Sequence, residues 1–269
     1  MFLSRLQGNL QPTFFNIKNL TQPILYRMKN TLILIIAIVI ICTGLNGCNK
    51  TTKASSSDGA STYPIEVFDT ITTNKSGVHN GFDYELWHDT GKVAMIIKQD
   101  GTFDCTWDSI NNVLFRTGKK FDTTKTANEI GKISLLYGCD YHPDGNSYLC
   151  VYGWSVEPLV EFYVVEAWGS WRPPGADSKG TVEIDGATYD IYQTTRTEQP
   201  SIIGTTTFEQ YWSVRTDKKT EGMVSISEHF KAWEKMGMQL GKLYEIAFCV
   251  EGYQSKGTAN VYKNVLTIE

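Results

Sequence analysis

From about Val78 onward, apolar and polar positions change places every second residue, in runs of five to ten residues separated by Gly, Asn, Asp and Pro. GFDYELWHD, KVAMIIKQDG, GTFDCTWD, SYLCVYGWS, LVEFYVVEAW, ATYDIYQTTR, TTFEQYWSVR, YEIAFCVEGY and NVYKNVLTI all show it. A period of two puts alternate side chains on opposite faces of a strand, and Tyr, Trp, Val and Ile suit a pleated surface. Asp100-Gly101 and Asp185-Gly186 are hairpin signals of the type I′ kind. So many short strands with regular turn signals predict a sandwich or jelly roll. One segment departs from the pattern. In ISEHFKAWEKMG, Phe230, Trp233 and Met236 recur every third residue among charged ones, which predicts an amphipathic helix over 228–236 on the back of a sheet. Ser227 is placed to cap its start and Gly237 to end it. There is no internal repeat, and residues 77–269 read as one domain.

The chain before that domain follows another pattern. Residues 31–42 read TLILIIAIVIIC, directly after Met28-Lys29-Asn30. A short positive region and an apolar run of this length make a secretory signal, short for a spanning helix. Leu45-Asn46-Gly47-Cys48 resembles a bacterial lipoprotein cleavage box, with Cys48 as the lipidated residue and 28–47 as the signal peptide. An uncleaved anchor helix is the other reading. Both predict a domain outside the cytoplasm: lipid-anchored at the cell surface or in the periplasm, or secreted. Residues 1–27 lack apolar periodicity and read as an over-extended start before Met28. Residues 48–76, which continue after Cys48 as NKTTKASSSDGAST, hold few apolar side chains at first and read as a flexible linker.

Composition narrows the function classes. The net charge of −4 on 269 residues gives no electrostatic footprint for nucleic acid. Fourteen Tyr, seven Trp and twelve Phe suit a broad β-surface whose flat rings can pack on sugars. Cys105, Cys139, Cys150 and Cys249 sit in strand-like runs without a C-x-x-C spacing, which argues against zinc. Disulfides and buried thiols both remain open for them. No metal and no cofactor is expected.

Two glutamates stand where carboxylates are costly. Glu161, Tyr163 and Val165 share one face of their strand, and Tyr148, Cys150, Tyr152 and Trp154 share one face of theirs. Glu251 ends the apolar run AFCVEGY. An unpaired buried charge is unfavourable, so such a carboxylate faces a cleft or a partner, although a strand Glu is ordinarily a solvated one. Two glutamates on aromatic strands are what glycoside hydrolysis needs, one as acid and one as nucleophile or base.

At these residues a family resemblance enters. YLCVYGWSVEPLVEFYVVEAWGSWRP, from Tyr148 to Pro173, resembles the nucleophile region of glycoside hydrolase family 11 xylanases. FCVEGYQSKGTANV, from Phe248 to Val261, resembles the acid/base region. YDIYQTTRTEQPSIIGTTTFEQYWSVR is similar to the family's thumb hairpin, with Pro200-Ser201-Ile202 at its tip. NGFDYELWHDTG resembles the first cleft strand, and EHFKAWEKMGMQLG the family helix. The blocks span about 77–269 in the family's order.

The resemblance implies a jelly roll of two curved antiparallel sheets with one helix and a thumb. It also implies retaining endo-hydrolysis of 1,4-β-xylosidic bonds in xylan or xylo-oligosaccharides by a monomer. Glu161 matches the nucleophile and Glu251 the acid/base. Tyr152 and Tyr163 match tyrosines bordering the nucleophile, and Trp87 the ring that stacks on a xylose. Trp154, Arg196, Pro200, Gln210 and Tyr253 match other substrate-binding positions. Phe162 stands where the family usually has Tyr. The partner of the acid/base falls on Asn112, with Asn111 the alternative, and Asn there is associated with a near-neutral optimum. Two rival readings are a cellulase-like β-1,4-glucanase on a related jelly roll, and a surface glycan-binding lipoprotein without catalysis.

Overall fold

A computed structural model describes residues 66–269. The leader, the expected lipid site Cys48 and most of the expected linker lie outside the described residues. The strands, in chain order, are β1 (Val67–Ile71), β2 (Lys75–His79), β3 (Phe82–His88), β4 (Lys92–Lys98), β5 (Phe103–Asp108), β6 (Asn112–Lys120), β7 (Ile133–Val156), β8 (Val160–Trp168), β9 (Gly180–Ile184), β10 (Ala187–Ser201), β11 (Gly204–Arg215), β12 (Glu221–Val224) and β13 (Lys242–Ile268). Helix α1 (Ala127–Ile130) precedes β7, and α2 (Ile226–Lys235) precedes β13.

The long strands β7 and β13 organise the sheet. They run antiparallel from Lys242↔Val156 to Ile268↔Ile133, with three register shifts that bend the pair. One half of the pair carries β5, β4 and β1 beside β13, and β12 beside β7. The other half carries β6, β3 and β2 beside β13, and β8, β11, β10 and β9 beside β7. All named pairings are antiparallel except β11 on β8, which is parallel. The two halves form the layers of the predicted jelly roll.

The core lies between the layers. Phe103, Cys105 and Trp107 of the first layer and Phe115, Val151, Phe162 and Phe248 of the second belong to one buried cluster. The rings of Trp107 and Phe115 meet at 6.1 Å. Each such side chain contributes roughly 1.5–3 kcal/mol through burial. Helix α2 covers the same side of β8 and β11. Phe230 lies 5.1 Å from Phe162, and Trp233 donates to Ser213 Oγ at 2.9 Å. The other face of the second layer carries a separate cluster with Leu114, Tyr148, Cys150, Tyr152, Trp154, Tyr163, Trp212 and Cys249. The alternation predicted for 148–154 and 161–165 therefore holds.

Several boundaries differ from the sequence expectation. The linker expected through residue 76 contains β1, which pairs with β4, and the start of β2, which pairs with β3. Both are short, and most of their residues are exposed, so their polarity hides them. Helix α2 begins at Ile226, after Ser225, rather than at 228. Ser227 Oγ instead accepts the Ile133 N–H at 2.8 Å. The one-turn α1, absent from the expectation, is set by Glu129, whose carboxylate accepts the Thr126 N–H at 2.8 Å. Asp185 and Gly186 both have positive φ, as a type I′ turn requires. At the other hairpin only Gly101 does, so that turn is not of the type I′ kind expected; there Asp100 Oδ1 accepts the Thr102 N–H at 3.1 Å. All four described cysteines are buried free thiols.

Candidate active site

Glu161 sits at the second position of β8, with Trp154 opposite it on β7 and Gln210 beside it on β11. Its exposure is 8%, and both carboxylate oxygens accept hydrogen bonds. Tyr152 donates to Oε1 at 2.8 Å, and Gln210 Nε2 donates to Oε2 at 2.6 Å. Gln210 is oriented in turn by Thr194, whose hydroxyl donates to its Oε1 at 3.1 Å. Burial pushes the Glu161 carboxyl up from its ordinary range, while Gln210, Tyr152 and Tyr163 pull it back toward the charged form.

Glu251 lies on β13, between Tyr148 of β7 and Leu114 of β6. Its exposure is also 8%, yet its Oε2 has no hydrogen-bond partner. Burial, then the charge of Glu161, pushes its pKa up to about 8, against the pull of Tyr163, Arg196 and Arg116. The two carboxyls thus sit in one field with opposite assignments. Glu161 has donors that favour its charged form against burial, and Glu251 is held as an acid by dryness and by its neighbour. Gly252 follows because a Cβ there would lie 2.8 Å from Trp107 Nε1.

Rings build the walls. Tyr163 stacks on Trp212 at 3.9 Å and meets Tyr152 edge-on at 5.2 Å. Trp154 Nε1 donates to the Tyr152 hydroxyl at 2.6 Å. Trp154 is 3% exposed and braces Tyr152 through that bond. Trp87 is 36% exposed and Tyr253 43% exposed, so both offer ring surface. Trp87 pairs with Leu114, which places it two strands from Glu251. Arg196 and Pro200 lie exposed on the thumb strand β10. Arg196 reaches both carboxyls by its charge, and its Nη2 donates to Gln199 Oε1 at 3.5 Å. Ile202 at the thumb tip packs back on the cleft cluster.

The two asparagines are now distinguished. Asn111 is engaged elsewhere: its Nδ2 donates to Asp89 at 2.5 Å, and its Oδ1 accepts from Gln254 at 3.2 Å. Asn112 pairs with Tyr253, which puts its side chain on the face of Glu251, and its Oδ1 is buried without a partner.

Sequence reasoning missed three members of this surface. Trp171, 43% exposed, lies 6.3 Å from Tyr148, extending the aromatic wall past Glu251. Tyr148 was visible only as sharing a face with Tyr152. Arg116 was passed over inside the run VLFRTG, where a lone cation in an apolar strand was the available signal. Its Nε donates to Glu245 at 3.0 Å, its Nη2 lies 2.9 Å from Glu85, and its guanidinium lies 5.3 Å from the Tyr152 ring centre. Removing one partner of so buried a pair costs on the order of 3–5 kcal/mol.

Comparison with known proteins agrees with this geometry. The family described as Glycosyl hydrolases family 11 matches residues 79–262. A bifunctional xylanase/deacetylase of Pseudobutyrivibrio xylanivorans is 60% identical over 204 residues, covering 76% of this chain and 34% of that protein. Endo-1,4-beta-xylanase A of Thermoclostridium stercorarium is 60% identical over 205 residues, covering 76% and 32%. The chain thus spans about a third of the length of these two relatives. Endo-1,4-beta-xylanase A of Bacillus pumilus is 57% identical over 199 residues, covering 74% of this chain and 87% of that one. The solved family 11 xylanase from Neocallimastix patriciarum superposes with a TM-score of 0.71 at 39% identity, covering 75% of this chain and 100% of that one. Fold, paired glutamates and sequence agree: the chain belongs to glycosyl hydrolase family 11.

Proposed function

We propose that this domain hydrolyses internal 1,4-β-xylosidic bonds of xylan with retention of configuration. The observation that carries the reading is the asymmetry of the two buried carboxyls. Glu161 accepts a hydrogen bond on each oxygen, while Glu251 holds its proton to about pH 8. Glu161 attacks the anomeric carbon as Glu251 gives its proton to the departing glycosidic oxygen. The glycosyl–Glu161 ester then carries no charge, so Glu251 loses the neighbour that raised it and can accept a proton. It takes one from a water that attacks the same carbon, and Glu161 is released as an anion.

Trp87, Tyr152, Tyr163, Arg196, Pro200, Gln210 and Tyr253 bind or frame the sugars in this reading. A cleft too narrow for a hydroxymethyl group would explain a preference for xylan over cellulose. The domain is exported on the 28–47 signal and tethered by lipid at Cys48. Release of reducing sugar from xylan, beside carboxymethyl-cellulose, tests the reading. Activity on xylan alone supports it. Activity on the cellulose derivative supports a glucanase, and binding without release supports a glycan-binding protein. Labelling of the full chain with a radioactive fatty acid, lost in Cys48→Ala, tests the anchor.

A further inference from the structure

Arg116 is the one cation on the cleft face of β6 that is buried among the described residues, at 6% exposure. It lies opposite Cys249 on β13, so Glu251 is its diagonal neighbour on the same face. Three contacts fix it. Nε donates to Glu245 of β13 at 3.0 Å, Nη2 meets Glu85 of β3 at 2.9 Å, and the guanidinium stands over the Tyr152 ring at 5.3 Å. The Tyr152 hydroxyl donates to Glu161. One chain of contacts therefore runs from a buried ion pair, through a ring, to a reacting carboxylate.

We propose that Arg116 is a positioning residue for the reaction: clamped by Glu85 and Glu245, it orients the phenol that holds Glu161 and balances the charge beside Glu251. This rests on the retaining reaction proposed above. The clamp is rigid because it is planar and doubly anchored. Glu85 is further held by Lys120 at 2.9 Å, whereas Glu245 has Arg116 as its salt-bridge partner. Glu245 is 2% exposed, and its Oε2 has no hydrogen-bond partner, so the Arg116 bond to Oε1 anchors it.

Other groups also face Glu251. Asn112 and Arg116 come from β6, Tyr148 and Cys150 from β7, Glu161 and Tyr163 from β8, Arg196 from β10, and Cys249 and Tyr253 from β13. Among them the cations are Arg196, exposed on the thumb, and Arg116, fixed in the floor. Arg116 therefore supplies the positive charge that does not depend on the thumb.

The test is the pH profile of kcat/KM on an aryl xylobioside for Arg116→Met, Arg116→Lys and Glu245→Gln. Removing the cation should move the alkaline limb up by about 0.5 pH unit. It should also lower kcat/KM about tenfold as Tyr152 loses its support. Arg116→Lys should restore the limb but not the whole rate, since an ammonium keeps the charge and loses the fork. Glu245→Gln leaves the cation less compensated, so its limb should move down, by at least about 0.2 unit. Opposite shifts are the signature, because damaged packing alone does not give two variants opposite signs. Should Arg116→Met fail to fold, the nearly isosteric Glu245→Gln decides by its direction. A parent active on xylan, with Glu161→Gln inactive and the limbs unmoved or moved together, would overturn this inference alone. A parent inactive on xylan would overturn the reading beneath it.

Discussion

At the scale of single residues, the site works by unequal treatment of two identical side chains. Glu161→Gln keeps the shape but removes the attacking charge and one of the two acceptors, so xylan turnover should fall at least about 10³-fold in a folded variant. A stopped assay with circular dichroism on the same sample checks both halves. Asn112 presents a buried, unpartnered Oδ1 on the face where Glu251 has an unpartnered Oε2. A carboxyl placed there should share the proton of Glu251, and the pair would then be singly protonated at lower pH. Asn112→Asp should therefore lower the optimum of kcat/KM, and an unchanged profile would remove Asn112 from the acid/base. The two glutamates were legible in the sequence because PLVEF and VEGYQ match a family pattern. Arg116 was not, because its partners Glu85 and Glu245 lie on strands that only tertiary pairing brings beside it. Burial of Trp154 was equally hidden, since period two assigns a face and not a depth.

At the scale of elements, α2 carries a liability on its buried side. His229 is fully buried, packs edge-on against Tyr189 at 4.6 Å, and has no partner on either ring nitrogen. Burial pushes its pKa down to about 3. The unfolded chain then binds a proton that the folded one refuses, from about pH 6.5 downward, so stability is lost as pH falls toward 3. His229→Leu should flatten that loss, read as a shallower fall in urea midpoint on acidification. The helix itself was legible from its three-residue spacing. Its start was not, because Ser227 serves the β7 backbone and the first turn is set by Ser225. The strands β1 and β2 were overlooked for a related reason. An edge strand with most residues exposed has no alternation to show.

At the scale of the molecule, the cleft opposes the helix in its response to pH. The folded domain keeps a proton on Glu251 from about 4.5 up to about 8, where the unfolded chain has released it. Across that window stability declines as pH rises. Glu251→Gln should remove the Glu251 share of the decline, so its Tm relative to the parent should rise between those two limits. A gap that stays constant would mean that Glu251 is not protonated in the fold. The domain should be most stable between the acid loss from His229 and the alkaline loss from Glu251. A sandwich was foreseen because turn signals and alternation survive without knowledge of pairing, and the thumb because its segment resembles that of the family. The sharing of β7 and β13 by both layers was not, since each half of those strands reads as a strand of its own.

That sharing governs when the molecule can exist. β13 follows every other strand in sequence, yet it lies between β5 or β6 and β7, so both layers are cut in two until it arrives. A chain emerging from the ribosome with its first strands leading can form hairpins but no closed core, because the centre of each layer is still missing. Folding of this domain is therefore deferred to the end of its synthesis. A nascent chain halted before Lys242 should remain open to protease along its length, and one extended past Ile268 should become resistant in a single step.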